Sequence, residues 1–101
     1  MNDTDKTLVA LLDAVHDRES FMAFLAAFTD DRERAEQMER DDPKRWQWDG
    51  AGGWQNSSIS AFLGAAACYF QGPSYPDRAS PSAHPSWHDL AHFLYFGKIY
   101  E

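Results

Sequence analysis

Cysteine is nearly missing from this chain. Cys68 is the single one among 101 residues, so no intramolecular disulfide can form, and the sequence reads as that of a cytoplasmic protein. An excess of positive charge is missing too. Lys and Arg number 9 against 16 Asp and Glu, for a net charge of −7. A nucleic-acid surface needs the opposite balance, so nucleic acid is not an expected partner. A membrane span is not expected either. It would need about 20 consecutive, mostly apolar residues, and Asn, Gln, Ser and Gly interrupt the longest apolar stretch. The opening MNDTDKTL is charged and polar, which does not resemble a secretory leader.

Catalytic signatures are also lacking. There is no G-x-S-x-G elbow, no phosphate-cradling G-x-x-x-x-G-K-[ST], no G-x-G-x-x-G and no H-E-x-x-H. His84, His88 and His92 are spaced by four, and on a helix His88 and His92 share a face. Asp89 follows His88 where the metalloprotease motif needs Glu, and Pro85 separates His84 from the helix. Cys68 lies in an apolar stretch with no basic neighbour to lower its pKa, so it reads as a small core residue. The expectation is no metal, no cofactor and no catalytic residue, leaning against an enzyme.

Seven Phe, four Trp and four Tyr are present. Each large aromatic buries about 150–250 Å², enough to fold a small domain without a metal. No charge occurs from Gly50 through Pro76. Within that stretch Ile59, Phe62, Leu63, Ala66 and Phe70 recur at helical spacing, after the capping residues Asn56, Ser57 and Ser58. The other face holds small residues, with Gly64 suggesting close approach of another backbone. The pattern predicts a buried central helix over about 58–71, stopped by Gly72 and Pro73.

Thr4–Val15 predicts a first helix with a Leu8, Leu11, Leu12, Val15 stripe. Asp17 caps a second, carrying Phe21, Phe24, Leu25 and Phe28. Thr29-Asp30-Asp31 bends or restarts it, and Arg32–Arg40 reads as solvated helix. Lys44–Trp54 contains Trp46, Trp48 and Trp54 among glycines. It reads as an extended pair around an Asp-Gly turn or as an ordered loop, whose indoles cover the core or bind a partner. Ser74–Pro85 is a surface loop. Ser86, with Asp89 three residues on, caps a last helix that buries Trp87, Leu90, Ala91 and Leu94 and stops at Gly97. The expected fold is one all-α domain over residues 1–101, with about four or five helices around the central one and a Trp-rich loop.

Trp48, the string W-x-N-x-[ST]-[IL]-x-x-[FW]-L at Trp54–Leu63, and a Trp87 helix followed by Tyr100-Glu101 resemble a family of small bacterial domains of unknown function. The resemblance covers the chain from about Asp17 onward. It implies a single-domain bacterial protein and brings no functional residue with it.

Function is expected from what remains: small size, acidity and no catalytic signature. The leading expectation is a non-catalytic protein-interaction module. In a sharper form it is an immunity or antitoxin-like inhibitor of a basic protein, met by Glu39, Asp41, Asp42, Trp46 and Trp48. The acids sit at a helix C-terminus, where they oppose the macrodipole. One alternative is a small-molecule-binding or enzymatic domain using the Trp-rich loop and His88. Another is a homodimer through Phe93 and Phe96 of the last helix.

Overall fold

A computed structural model gives the fold. It describes residues 3–48, 50–71 and 85–100. These form four α-helices and a short 3-10 turn: α1 (Asp3–Asp13), α2 (Arg18–Asp41), the turn Ala51–Gly53, α3 (Ile59–Gln71) and α4 (Trp87–Ile99). The all-α expectation holds, and no strand occurs among the described residues. None of the described helices is long and apolar enough to cross a membrane.

The chain is organised around α2. Asp17 caps it as its sequence predicts: the carboxylate accepts from the Ser20 N–H at 2.8 Å, and the Asp17 N–H donates to Ser20 Oγ at 3.1 Å. The Ser20 hydroxyl, then the Ser20 N–H, hold the Asp17 carboxyl below the usual carboxylate range. The helix runs without interruption through Thr29-Asp30-Asp31. Thr29 Oγ1 donates to the Leu25 carbonyl at 2.8 Å, and Asp30 pairs along the helix with Arg34 at 2.9 Å. Asp31 instead turns inward. Phe24, Phe28, Asp31 and Ala35 form one buried stripe at i, i+4, i+7 and i+11. A carboxylate therefore occupies a core position. Leu8, Leu12 and Val15 bring α1 against the same core.

Among its described residues the Trp-rich segment forms no strand; it is an ordered loop with a 3-10 turn, and its Trp46 and Trp54 pack on the core. Gly52 (φ 63°) and Gly53 (φ 83°) take the left-handed backbone that favours glycine. This tight turn buries Ala51 and delivers Trp54 into the core, 5.2 Å from the Phe28 ring centroid and 6.1 Å from Phe62. Trp46 is half-buried beneath Arg45, whereas Trp48 is 87% exposed.

The expectation of a buried helix over 58–71 is corrected. The helix exists, with Ser58 Oγ accepting from the Ala61 N–H at 3.1 Å, but it lies at the edge. It packs chiefly on α4, turning Ala66 and the Phe62 ring inward. Ile59 is 80% and Leu63 54% exposed, and Cys68 is exposed rather than core. An uncharged helix suggests one covered on both sides, but among the described residues it packs chiefly on one neighbour, α4. Among the described residues Gly64 has no close neighbour: a Cβ there would meet nothing within 4 Å. Gly64→Ala is therefore expected to stabilise the domain by about 0.8–1.0 kcal/mol, read as a higher urea midpoint. A loss of stability would place a neighbour against that face.

The last helix starts as predicted. The Asp89 N–H donates to Ser86 Oγ and the Ser86 N–H donates to Asp89 Oδ2, each at 3.0 Å. Ala91 is buried, but Trp87 is partly exposed beside Phe21. Gly97 is not a stop, since the helix continues to Ile99. Glycine is needed there because a Cβ would meet the Phe62 ring at 2.7–2.9 Å. The expected stop at Gly72-Pro73, the Ser74–Pro85 loop and His84 lie outside the described residues.

Candidate functional site

Two features lie side by side: a closed polar network and an open apolar groove. The network begins with Asp31 (8% exposed) and Lys98 (3%). Lys98 Nζ donates to Asp31 Oδ2 at 2.8 Å, and Trp54 Nε1 donates to the same oxygen at 2.9 Å. Lys98 thereby joins α4 to α2, and Trp54 joins the 3-10 turn to both. The Lys98 carbonyl accepts from the Gln55 and Asn56 N–H groups, and Asn56 Nδ2 donates to the Gly97 and Tyr100 carbonyls.

Arg32 extends the network. Its guanidinium forks onto Glu39 at 3.0 and 3.1 Å, donates to the Ser57 carbonyl at 3.2 Å and lies 5.0 Å from the Trp54 ring centroid. Glu39 also accepts from the Ala51 N–H at 3.0 Å. Among the described residues no buried side-chain N or O lacks a partner. A buried set so fully bonded is a fastener of the fold.

The groove runs between α2 and the start of α3, with a volume of about 470 Å³. Phe28, Trp54 and Phe62 form its aromatic floor, Ile59 and Leu63 its apolar lip, and Arg32, Glu33 and Glu36 its charged rim. No His or Cys belongs to its lining among the described residues.

The residues predicted as a contact patch do not converge. Glu39 faces inward, held by Arg32 and Ala51. Asp41 accepts from Gln37 Nε2 at 2.9 Å, and Asp42 accepts from the Arg45 N–H at 3.4 Å, just past the end of α2. Trp46 packs against the core while Trp48 projects outward. Neither Trp46 nor Trp48 lines the groove.

His88 and His92 do share a face, with ring centroids 4.1 Å apart. His92 Nδ1 donates to the His88 carbonyl at 2.8 Å. Among the described residues no His, Cys, Asp or Glu side chains gather in threes to hold a metal. Phe93 and Phe96, the expected dimer patch, are half-buried.

Sequence reasoning missed the groove because it assigned Ile59 and Leu63 to the core and Glu33 and Glu36 to solvated helix. Ile59, Phe62, Leu63 and Ala66 stand at i, i+3, i+4 and i+7, the ordinary spacing of a core-facing stripe, so the spacing does not show that Ile59 and Leu63 stay exposed. No family model, curated protein or solved structure matches the chain, so the groove is read from its own chemistry.

Proposed function

We propose that this domain is a non-catalytic protein-interaction module that meets its partner through the groove between α2 and α3. The observation that carries this is the exposure of Ile59 and Leu63 above an aromatic floor. Two large aliphatic side chains left in water at the edge of a concave apolar surface mark an interaction site. Covering each fully is worth about 1.5–3 kcal/mol before the cost of association. A net charge of −7 favours a basic protein, in keeping with an inhibitor of the immunity or antitoxin kind.

The small-molecule reading has less support. Trp54 does line the groove, but Trp46 and Trp48 do not. The polar atoms expected to orient a ligand are already bonded within the chain, Asn56 to α4 and Arg32 to Glu39.

The test is a pull-down from native cell extract at low and moderate salt, using the wild type and Ile59→Ser/Leu63→Ser. Both positions are exposed, so the variant is expected to keep its helical circular dichroism. A specific protein held by the wild type should be reduced about tenfold or more in the variant, a loss of about 1.4 kcal/mol or more. Equal capture by both would remove the groove from the contact surface.

A further inference from the structure

We infer that the groove receives a segment bearing a large apolar side chain with Lys or Arg beside it, the basic residues meeting Glu33 and Glu36. This rests on the interaction reading above and specifies the partner's chemistry.

The interior of the groove asks for little hydrogen bonding. Thr29 Oγ1 already donates to Leu25, Asn56 Nδ2 to Gly97 and Tyr100, and Ser58 Oγ already accepts from Ala61. An apolar side chain needs no donor or acceptor. It can lie on Phe28, Trp54 and Phe62 and be covered by Ile59 and Leu63 without breaking any of these bonds.

Charge selects what flanks that side chain. Arg32 is the rim's cation, but Glu39 matches it with two hydrogen bonds. Glu36 reaches Arg32 only at 3.9 Å with a half-exposed side chain. Glu33 makes no ion pair among the described residues. Glu33 and Glu36, at i and i+3 on one helix face, thus leave the rim anionic. An acidic segment, or an anionic lipid surface, would be repelled there. A basic amphipathic segment is complementary in both charge and apolarity.

The probe is a synthetic 15-residue amphipathic peptide of Leu and Lys with helical spacing, titrated into the full chain and followed by backbone amide shifts. Two control peptides replace Lys by Glu or Leu by Ser. The Leu/Lys peptide should shift Ile59, Phe62 and Leu63, and the Leu/Ser change should weaken it about tenfold or more. Glu33→Lys/Glu36→Lys should weaken the Leu/Lys peptide by a similar factor and admit the Leu/Glu peptide, a swap that a structural role for the two acids would not produce.

Absent binding, or binding that leaves Ile59 and Leu63 unshifted, would overturn the inference. Equal binding of the Lys and Glu peptides at the groove would overturn the basic partner while leaving the interaction reading intact. Self-association of the wild type that Ile59→Ser/Leu63→Ser abolishes would make a second copy the occupant and also overturn it.

Discussion

Lys98→Met is expected to destabilise the domain by about 3–5 kcal/mol, because it leaves the Asp31 carboxylate buried without its cation. Domains of this kind have about 5–15 kcal/mol in total, so this one methylene-chain swap takes a large share. Asp31→Leu should also be destabilising, since it takes away the carboxylate that lies 2.8 Å from the buried Lys98 ammonium. The double variant Asp31→Leu/Lys98→Met should recover most of the loss. Apolar residues of similar volume often replace a buried pair at little cost. Recovery will be incomplete, because Trp54 Nε1 then lacks its acceptor, a deficit of about 1–3 kcal/mol. Urea unfolding of the four proteins closes the cycle. Single losses below about 1 kcal/mol that simply add would show that the two charges are not coupled.

Trp54 gives the second large effect, in two parts that substitution can separate. Trp54→Ala removes the ring packed between Phe28 and Phe62 together with its hydrogen bond to Asp31. It should cost about 3–5 kcal/mol. Trp54→Phe keeps a ring and loses the N–H, and should cost about 1.5–3 kcal/mol, the range for a hydrogen bond to a charged group. A neutral Trp54→Phe would mean that Asp31 does not rely on the indole. A Trp54→Phe as harmful as Trp54→Ala would place the whole effect in the polar network rather than in packing. The glycines before Trp54 make the same point: Gly52 and Gly53 adopt positive φ so that the indole can reach that place.

The parts of this fold that were legible in the sequence are those set by neighbours along the chain. Asp17 with Ser20 and Ser86 with Asp89 announce the starts of α2 and α4, because a cap is a contact across three residues. The Phe24 and Phe28 stripe announces the buried face of α2. The parts that were not legible depend on which element arrives from afar. Absence of charge from Gly50 to Pro76 could not say whether one or two neighbours would cover the helix; among the described residues it packs chiefly on α4. Asp31 could not be read as a core residue, because its partner Lys98 lies 67 residues away. Glu39 looked like a surface acid because the Ala51 N–H reaches it only once the turn folds back on α2, beside the Arg32 fork that α2 itself supplies. The groove follows from those same long-range choices: it lies between α2 and the start of α3, which packs chiefly on α4.

That 67-residue separation also bears on time. Bringing the ends of so long a loop together carries an entropic cost before the contact returns any energy. Contacts between near neighbours, such as those of α1 with α2, meet no such delay. The Lys98–Asp31 contact is therefore expected to form late in folding. Interactions made after the folding barrier govern how fast the native state opens far more than how fast it forms. In a denaturant chevron, the loss caused by Lys98→Met belongs on the unfolding limb, and the buried pair works as a latch on the lifetime of the folded state.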